Sequence, residues 1–181
     1  MARVDEKIST QRYDSNFIGL WENKKRTDDY NSLIMLQEKL QEIGNQNRCP
    51  IALIVKEGRI LTGHRHYTKD KWKEISVWTI PGGRCDEGEV LEKALRREVC
   101  EEVGISDLQI IDFIGEVSGA KEGDSVPVFF CTTKQSPKLM EPEKFSEWRW
   151  VTKEEWFEDK KYSGFNSDAR KMMEDYLSTH I

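Results

Sequence analysis

Apolar positions along this chain change their period several times, and each change marks an element. Residues 49–66, CPIALIVKEGRILTGHRH, carry two β-branched and apolar runs around Glu57-Gly58, which predicts two strands joined by a turn. ISVWTIP predicts a third strand, stopped at Pro81 just ahead of the pair Gly82-Gly83. LQIIDFIGEVSG and VPVFFCTTK predict two more, separated by the polar turn KEGDS, and SEWRWV predicts another. Helical spacing replaces alternation in four places. In DDYNSLIMLQEKLQEIGNQ, Tyr30, Leu33, Ile34, Leu36, Leu40 and Ile43 recur at helical intervals, with Asp28 or Asp29 as the cap and Gly44 as the stop. From about Glu89 to Val103, Leu91, Leu95, Val99 and Val103 stack at i, i+4 spacing to face a core, and Gly104 sits where a C-terminal cap belongs. KEEWFED reads as a short helix, and SDARKMMEDYLSTH as a final amphipathic one.

Strands before and after a glycine-led helix give an α/β class. The first fifty residues differ in character, so the expected organisation is a helical extension over 1–48 and an α/β domain over 49–181. The first helix is expected to pack on that domain or to form a homodimer interface. Hydrophobic residues at 37% and charged residues at 34% suit a soluble globular protein. A net charge of −5 argues against a nucleic-acid partner or a membrane surface, since both need basic patches to neutralise phosphates. No apolar run approaches the ~18 residues that span a bilayer, and MARVDEKISTQRYD lacks the apolar core of a signal peptide. Cytoplasmic residence is the expectation. Cys49, Cys85, Cys100 and Cys131 form no CxxC pair and no zinc spacing with His64, His66 or His180, which reads as free thiols.

The chemistry concentrates in residues 83–105, GRCDEGEVLEKALRREVCEEVGI. Glu98, Glu101 and Glu102 stand at i, i+3 and i+4, so on a helix they share one face. Like charges so placed repel by a few tenths of a kcal/mol per pair. A hard divalent cation turns that repulsion into attraction, because oxygen ligands are what Mg²⁺ selects. A plain charge-laced helix is the bland reading of any Glu/Arg-rich run, but here the carboxylates follow a glycine pair that lets backbone approach a metal or phosphate closely.

The spacing resembles the Nudix box. Gly83 is followed by five residues and Glu89, then by seven residues and Arg97-Glu98-Val99-Cys100-Glu101-Glu102-Val103-Gly104-Ile105. The resemblance implies the Nudix fold, a mixed β-sheet sandwiched between α-helices, here with an added N-terminal helical segment. It implies a hydrolase of nucleoside diphosphates linked to a group X, using Mg²⁺ with Mn²⁺ as a substitute. By that resemblance the metal ligands are Glu98, Glu101, Glu102 and the carbonyl of Gly83, and Glu98 orients or deprotonates the attacking water. Glu98 and Glu101 head the catalytic set. Glu89 and Arg97 pair to tie loop to helix, with Gly82 and Gly104 as structural positions.

EPEKFSEWRWV, residues 141–151, resembles the segment of MutT-like nucleoside triphosphate pyrophosphatases in which an acidic loop precedes a Trp-rich strand. Glu143 is the preferred catalytic or metal-binding glutamate there, with Glu141 and Glu147 as alternatives; an ordinary solvated turn is the competing reading. Arg65 and Arg84 are expected to contact phosphates. Trp78, with Trp148 and Trp150, could stack on a nucleobase, although alternating tryptophans more often pack within a sheet. A small nucleotide is the expected partner, with a nucleoside triphosphate favoured over ADP-ribose or another nucleotide sugar. A catalytically silent nucleotide sensor is the alternative of another class.

Overall fold

A computed structural model of the chain describes residues 30–66 and 76–180; the cap expected at Asp28 or Asp29 lies outside them. Helix α1 (30–40) leads into strands β1 (Ile51–Lys56) and β2 (Arg59–Arg65), then β3 (Val77–Thr79) and helix α2 (Leu91–Val103). Strands β4 (Gln109–Ser118), β5 (Ser125–Thr132) and β6 (Phe145–Val151) follow, and the chain closes with α3 (Lys153–Glu158), a 3₁₀ turn at Lys160–Tyr162 and α4 (Ser167–His180). Glu57 and Gly58 reverse the chain between β1 and β2, both at positive φ, 52° and 72°, as a tight hairpin turn requires.

The strands form one sheet in the order β3-β2-β1-β5-β4, with β6 on the other edge of β2. Only the β1–β5 pairing is parallel among these, so the sheet is mixed. Central strand β1 is buried on both faces. Ala52 and Ile54 enter a core with Leu36 and Leu40 of α1 and with Leu91, Leu95, Val99 and Val103 of α2. Ile51 and Leu53 enter the opposite core with Trp156, Tyr162, Met173 and Leu177. Helices therefore cover both faces, as the resemblance implied. At about 25 cal/mol per Å² of apolar surface, each such buried side chain contributes roughly 1.5–3 kcal/mol.

Two boundaries differ from expectation. Helix α2 starts at Leu91, because Val90 is extended (φ −73°, ψ 148°) and forms a bridge with Ile43. Glu89 thus stands in the loop before the helix. Helix α1 ends at 40, and Gly44 instead donates its N–H to the Glu89 carbonyl at 2.8 Å. Both shifts come from long-range pairing that helical periodicity does not encode. Gly104 does cap α2, at φ 67° and ψ 19°. Among the described residues, no helix is long and apolar enough to cross a membrane.

Candidate active site

After β3, the segment Pro81 to Gly83 runs beside the approach to β1. Ala52 N–H donates to the Pro81 carbonyl at 2.8 Å, and Gly83 N–H to the Pro50 carbonyl at 3.2 Å. Gly82 adopts φ 140°, and a β-carbon there would collide with the Pro50 carbonyl and the Ile51 backbone. Its N–H turns to α2 and donates to Glu102 Oε2 at 3.0 Å. A β-carbon on Gly83 would overlap the Glu98 carboxylate. The glycine pair therefore lets two glutamates of α2 lie directly against backbone.

Arg97 orders the other side of this cluster. Its Nε and Nη2 donate to the two oxygens of Glu89 at 3.2 and 2.8 Å, a bidentate fork that joins the loop to α2. Nη2 also donates to the Arg84 carbonyl at 3.0 Å. Nη1 reaches Glu98 Oε1 at 2.8 Å and Glu101 Oε2 at 3.2 Å. Glu89 additionally accepts from the Asp86 N–H at 3.1 Å. These bonds to Arg97 hold the Glu89 carboxyl below the usual range against the opposing effect of its burial.

Glu98 and Glu102 line a cavity of about 360 Å³ together with Gly82 and Gly83. Arg65 from β2, Arg84, Lys121 from the β4–β5 turn and Lys144 ahead of β6 supply positive charge to its walls. Ile51, Ile80, Val126 and Phe165 supply apolar wall. Burial pushes the Glu102 carboxyl up to about 8; the Gly82 bond opposes this and the Glu98 charge reinforces it. Burial also raises Glu98, with Arg97 opposing. In both, burial favours the protonated carboxyl over the charged one.

The remaining sequence-predicted residues divide. Arg65 and Arg84 reach the cavity, but Arg84 is held bidentately by Asp124, at 2.9 and 2.6 Å. The Arg65 guanidinium lies 5.4 Å from the Phe145 ring centre, and its Nε is buried without a hydrogen-bond partner. Glu101 points to Arg97, has a half-exposed side chain and is not in the cavity wall. Trp78 is buried outside that wall, between His64 and Tyr162, with Arg149 4.6 Å from its ring centre. Trp148 and Trp150 pack against the α2-side core, and Trp148 fills the space over Gly63. Glu143 is exposed, whereas Glu141 pairs with Lys144 and buries Oε2 with no hydrogen-bond partner. Glu147 pairs with Arg149.

Cys49, Lys121, Asp124, Lys144 and Asn166 were not singled out by the sequence, yet all reach the cavity. Asp124 sits in the turn KEGDS, where an acidic residue is ordinary. Lys144 lies in the acidic loop already noted, and its position beside glutamates was the available signal.

A family model described as the NUDIX domain matches residues 45–176. The chain belongs to the Nudix family. It spans about a third of the length of the first curated relatives it matches: the RNA pyrophosphohydrolase of Caulobacter vibrioides is 36% identical over 61 residues, 34% of this chain and 33% of that one. The RNA pyrophosphohydrolase of Wolbachia sp. subsp. Brugia malayi is 32% identical over 119 residues, 55% of this chain and 70% of that one. In fold, this Nudix chain matches the crystal structure of the MutT protein from Methanosarcina mazei Go1, with a TM-score of 0.58 and 24% identity over 73% of this chain and 93% of that one.

Proposed function

We propose that this Nudix protein hydrolyses the pyrophosphate link of nucleoside diphosphates bonded to a group X, with a divalent cation. Nucleoside triphosphates are the favoured substrates, giving a nucleoside monophosphate and pyrophosphate. One observation carries the reading: a single cavity brings the half-buried carboxylate of Glu98 and the buried one of Glu102 together with the cations Arg65, Lys121 and Lys144. Carboxylates suit a metal, and the cations suit the anionic oxygens of a phosphate chain.

The donor set fits Mg²⁺ or Mn²⁺. Glu102 is buried, with the Gly82 N–H as its hydrogen-bond donor, and Glu141 Oε2 is buried with none. Such oxygens gain most from a hard cation. Among the described residues no three acidic, histidine or cysteine side chains already converge on one point. Glu98, Glu102 and the Gly83 carbonyl would hold the ion, with substrate oxygens completing its shell and Glu101 as a further ligand from the same helix. When bound, the ion neutralises phosphate charge and lowers the pKa of water.

The chain's own groups do the rest. Glu98 accepts the proton of the attacking water, held in place by Arg97 Nη1. Water oxygen bonds to phosphorus as the bridging P–O bond breaks, and the leaving phosphate carries away the electron pair. Arg65, Lys121 and Lys144 bind phosphate oxygens. Arg84, already neutralised by Asp124, instead ties the β4–β5 turn over the site. The acidic loop contributes through Glu141, whose carboxylate faces inwards, with exposed Glu143 as the alternative. Residues 49–181 would form the catalytic unit and 1–48 the added segment, with α1 sending Leu36 and Leu40 into the core.

Relatives named RNA pyrophosphohydrolase favour a second substrate, RNA. A net charge of −5 weighs against it, since extended phosphate contact draws on basic surface. Incubating the protein with Mg²⁺ and nucleoside triphosphates, nucleotide sugars, ADP-ribose and a 5′-triphosphorylated oligonucleotide separates these readings. Release of pyrophosphate from free triphosphates, lost in Glu98→Gln, supports the proposal. No turnover across the whole panel overturns it in favour of a nucleotide sensor.

A further inference from the structure

The carboxylates of Glu98, Glu102 and Glu141 lie near one end of the cavity without converging on one point. The first two lie in its wall; Glu141 does not, but its partner Lys144 does. The neighbouring arginines are each held by further partners, although Arg97 also bonds Glu98 and the Arg65 charge also acts on Glu102. Arg97 is forked onto Glu89, Arg84 is forked onto Asp124, and Arg65 lies over Phe145. Lys144 is placed differently. Its backbone is pinned, N–H to the Glu141 carbonyl at 2.9 Å and carbonyl from the His66 N–H at 2.8 Å. Its ammonium nonetheless ends a four-carbon stem that is 35% exposed, so it can rotate away at little cost. It meets Glu141 Oε1 directly, and the charges of Glu102 and Glu98 also act on it. An i, i+3 surface pair alone would be worth about 0–1 kcal/mol. Here one partner carries a second oxygen that is buried and unbonded, so the ammonium is a mobile charge beside an under-neutralised carboxylate.

We infer that Lys144 is a mobile counterion beside Glu98, Glu102 and Glu141, and that a divalent cation and the Lys144 ammonium compete for these carboxylates. Loading of the ion releases the ammonium towards the phosphate chain. Lys144 is thereby a positioning residue that keeps the empty pocket from repelling itself apart and sets the concentration at which the ion enters. Resting on the metal-dependent reading above, this competition is measurable without substrate.

The test is Mn²⁺ binding by titration calorimetry to the full chain, for the wild type, Lys144→Met and Lys144→Arg. Methionine keeps the stem and removes the charge, and the partial exposure of the site tolerates it. Removing a unit charge about 6 Å from a divalent ion tightens binding on the order of tenfold in water-like surroundings. Lys144→Met should therefore bind Mn²⁺ about tenfold more tightly and melt earlier than the wild type in chelator, the two converging at saturating Mn²⁺. Lys144→Arg should stay within about twofold of the wild type. Unchanged or weaker affinity in Lys144→Met, with a wild-type circular dichroism spectrum, overturns the competition alone. So does a Lys144→Arg that shifts as far as Lys144→Met. A wild type that binds no Mn²⁺ at millimolar concentration removes the metal-dependent reading and the role of Lys144 with it.

Discussion

Gly82 N–H donates to Glu102 Oε2 at 3.0 Å, across the joint between the β3 loop and the last turn of α2. Few other groups stabilise charge on this buried carboxylate, so its proton affinity in the folded chain is far above that of an exposed glutamate. The sign of the resulting pH dependence follows. A carboxyl whose folded pKa is raised to about 8 binds its proton more tightly folded than unfolded. Between about pH 4.3, the unfolded value, and pH 8, stability of the metal-free protein should fall as pH rises, then level off. Glu102→Gln should flatten that slope, and Mg²⁺ should restore wild-type stability at pH 8. Urea unfolding in chelator across this window checks it; a wild-type slope of the opposite sign, unaltered in Glu102→Gln, defeats it.

Gly83→Ala tests the close approach of Glu98. The added methyl overlaps the Glu98 carboxylate, the far end of a flexible side chain, so the fold should survive with a stability change within roughly 1 kcal/mol. The carboxylate must move, and displacement of a catalytic group by ~1 Å costs about 100-fold in rate. Melting temperature and kcat/KM measured side by side check this split. An alanine variant with wild-type activity would show that the contact is dispensable.

Arg97→Lys removes the fork while keeping the charge. Lysine cannot hold both oxygens of Glu89 and also reach the Arg84 carbonyl and Glu98, so a loss of about 1–3 kcal/mol is expected. Activity should fall as well, because the loop bearing Gly83 is no longer tied to the helix bearing Glu98. Chemical denaturation gives the first quantity and steady-state kinetics the second. A lysine variant indistinguishable in both would reduce Arg97 to an ordinary surface cation.

Glu141 and Glu143 sit two residues apart and face different surroundings. Glu141→Gln should lower kcat at least about tenfold, as loss of a positioned acid–base or charged group does, while Glu143→Gln should stay near the wild type. Parallel kinetics of the two variants decide between them, and the reverse ranking would return the role to Glu143.

The acidic loop also shows where sequence reading ran out. Its composition marked it as chemically important, but which glutamate turns inwards depends on the turn that bonds Lys144 and Phe145 N–H groups to the Glu141 carbonyl. Trp78 illustrates the same limit. The sequence offered it as a face for a nucleobase or as packing within the sheet, and its partners are His64, Tyr162 and Arg149, drawn from three separate elements. Asp124 carried no signal at all, because its partner Arg84 lies forty residues earlier in the chain.

The chain's order of residues determined what short range can encode: the strands, the helix that carries the acidic run, its Gly104 cap, and the shared face of Glu98 and Glu102. Periodicity and spacing suffice for these because each is set by residues within a few positions of one another along the chain. Folding in three dimensions decided which charges meet. It seated both glutamates against the glycine pair, turned Glu101 to Arg97, matched Arg84 with Asp124 and brought Lys144 to the carboxylates. Such meetings depend on strand register and burial, and a side chain's electrostatic environment is set by neighbours that are distant in sequence.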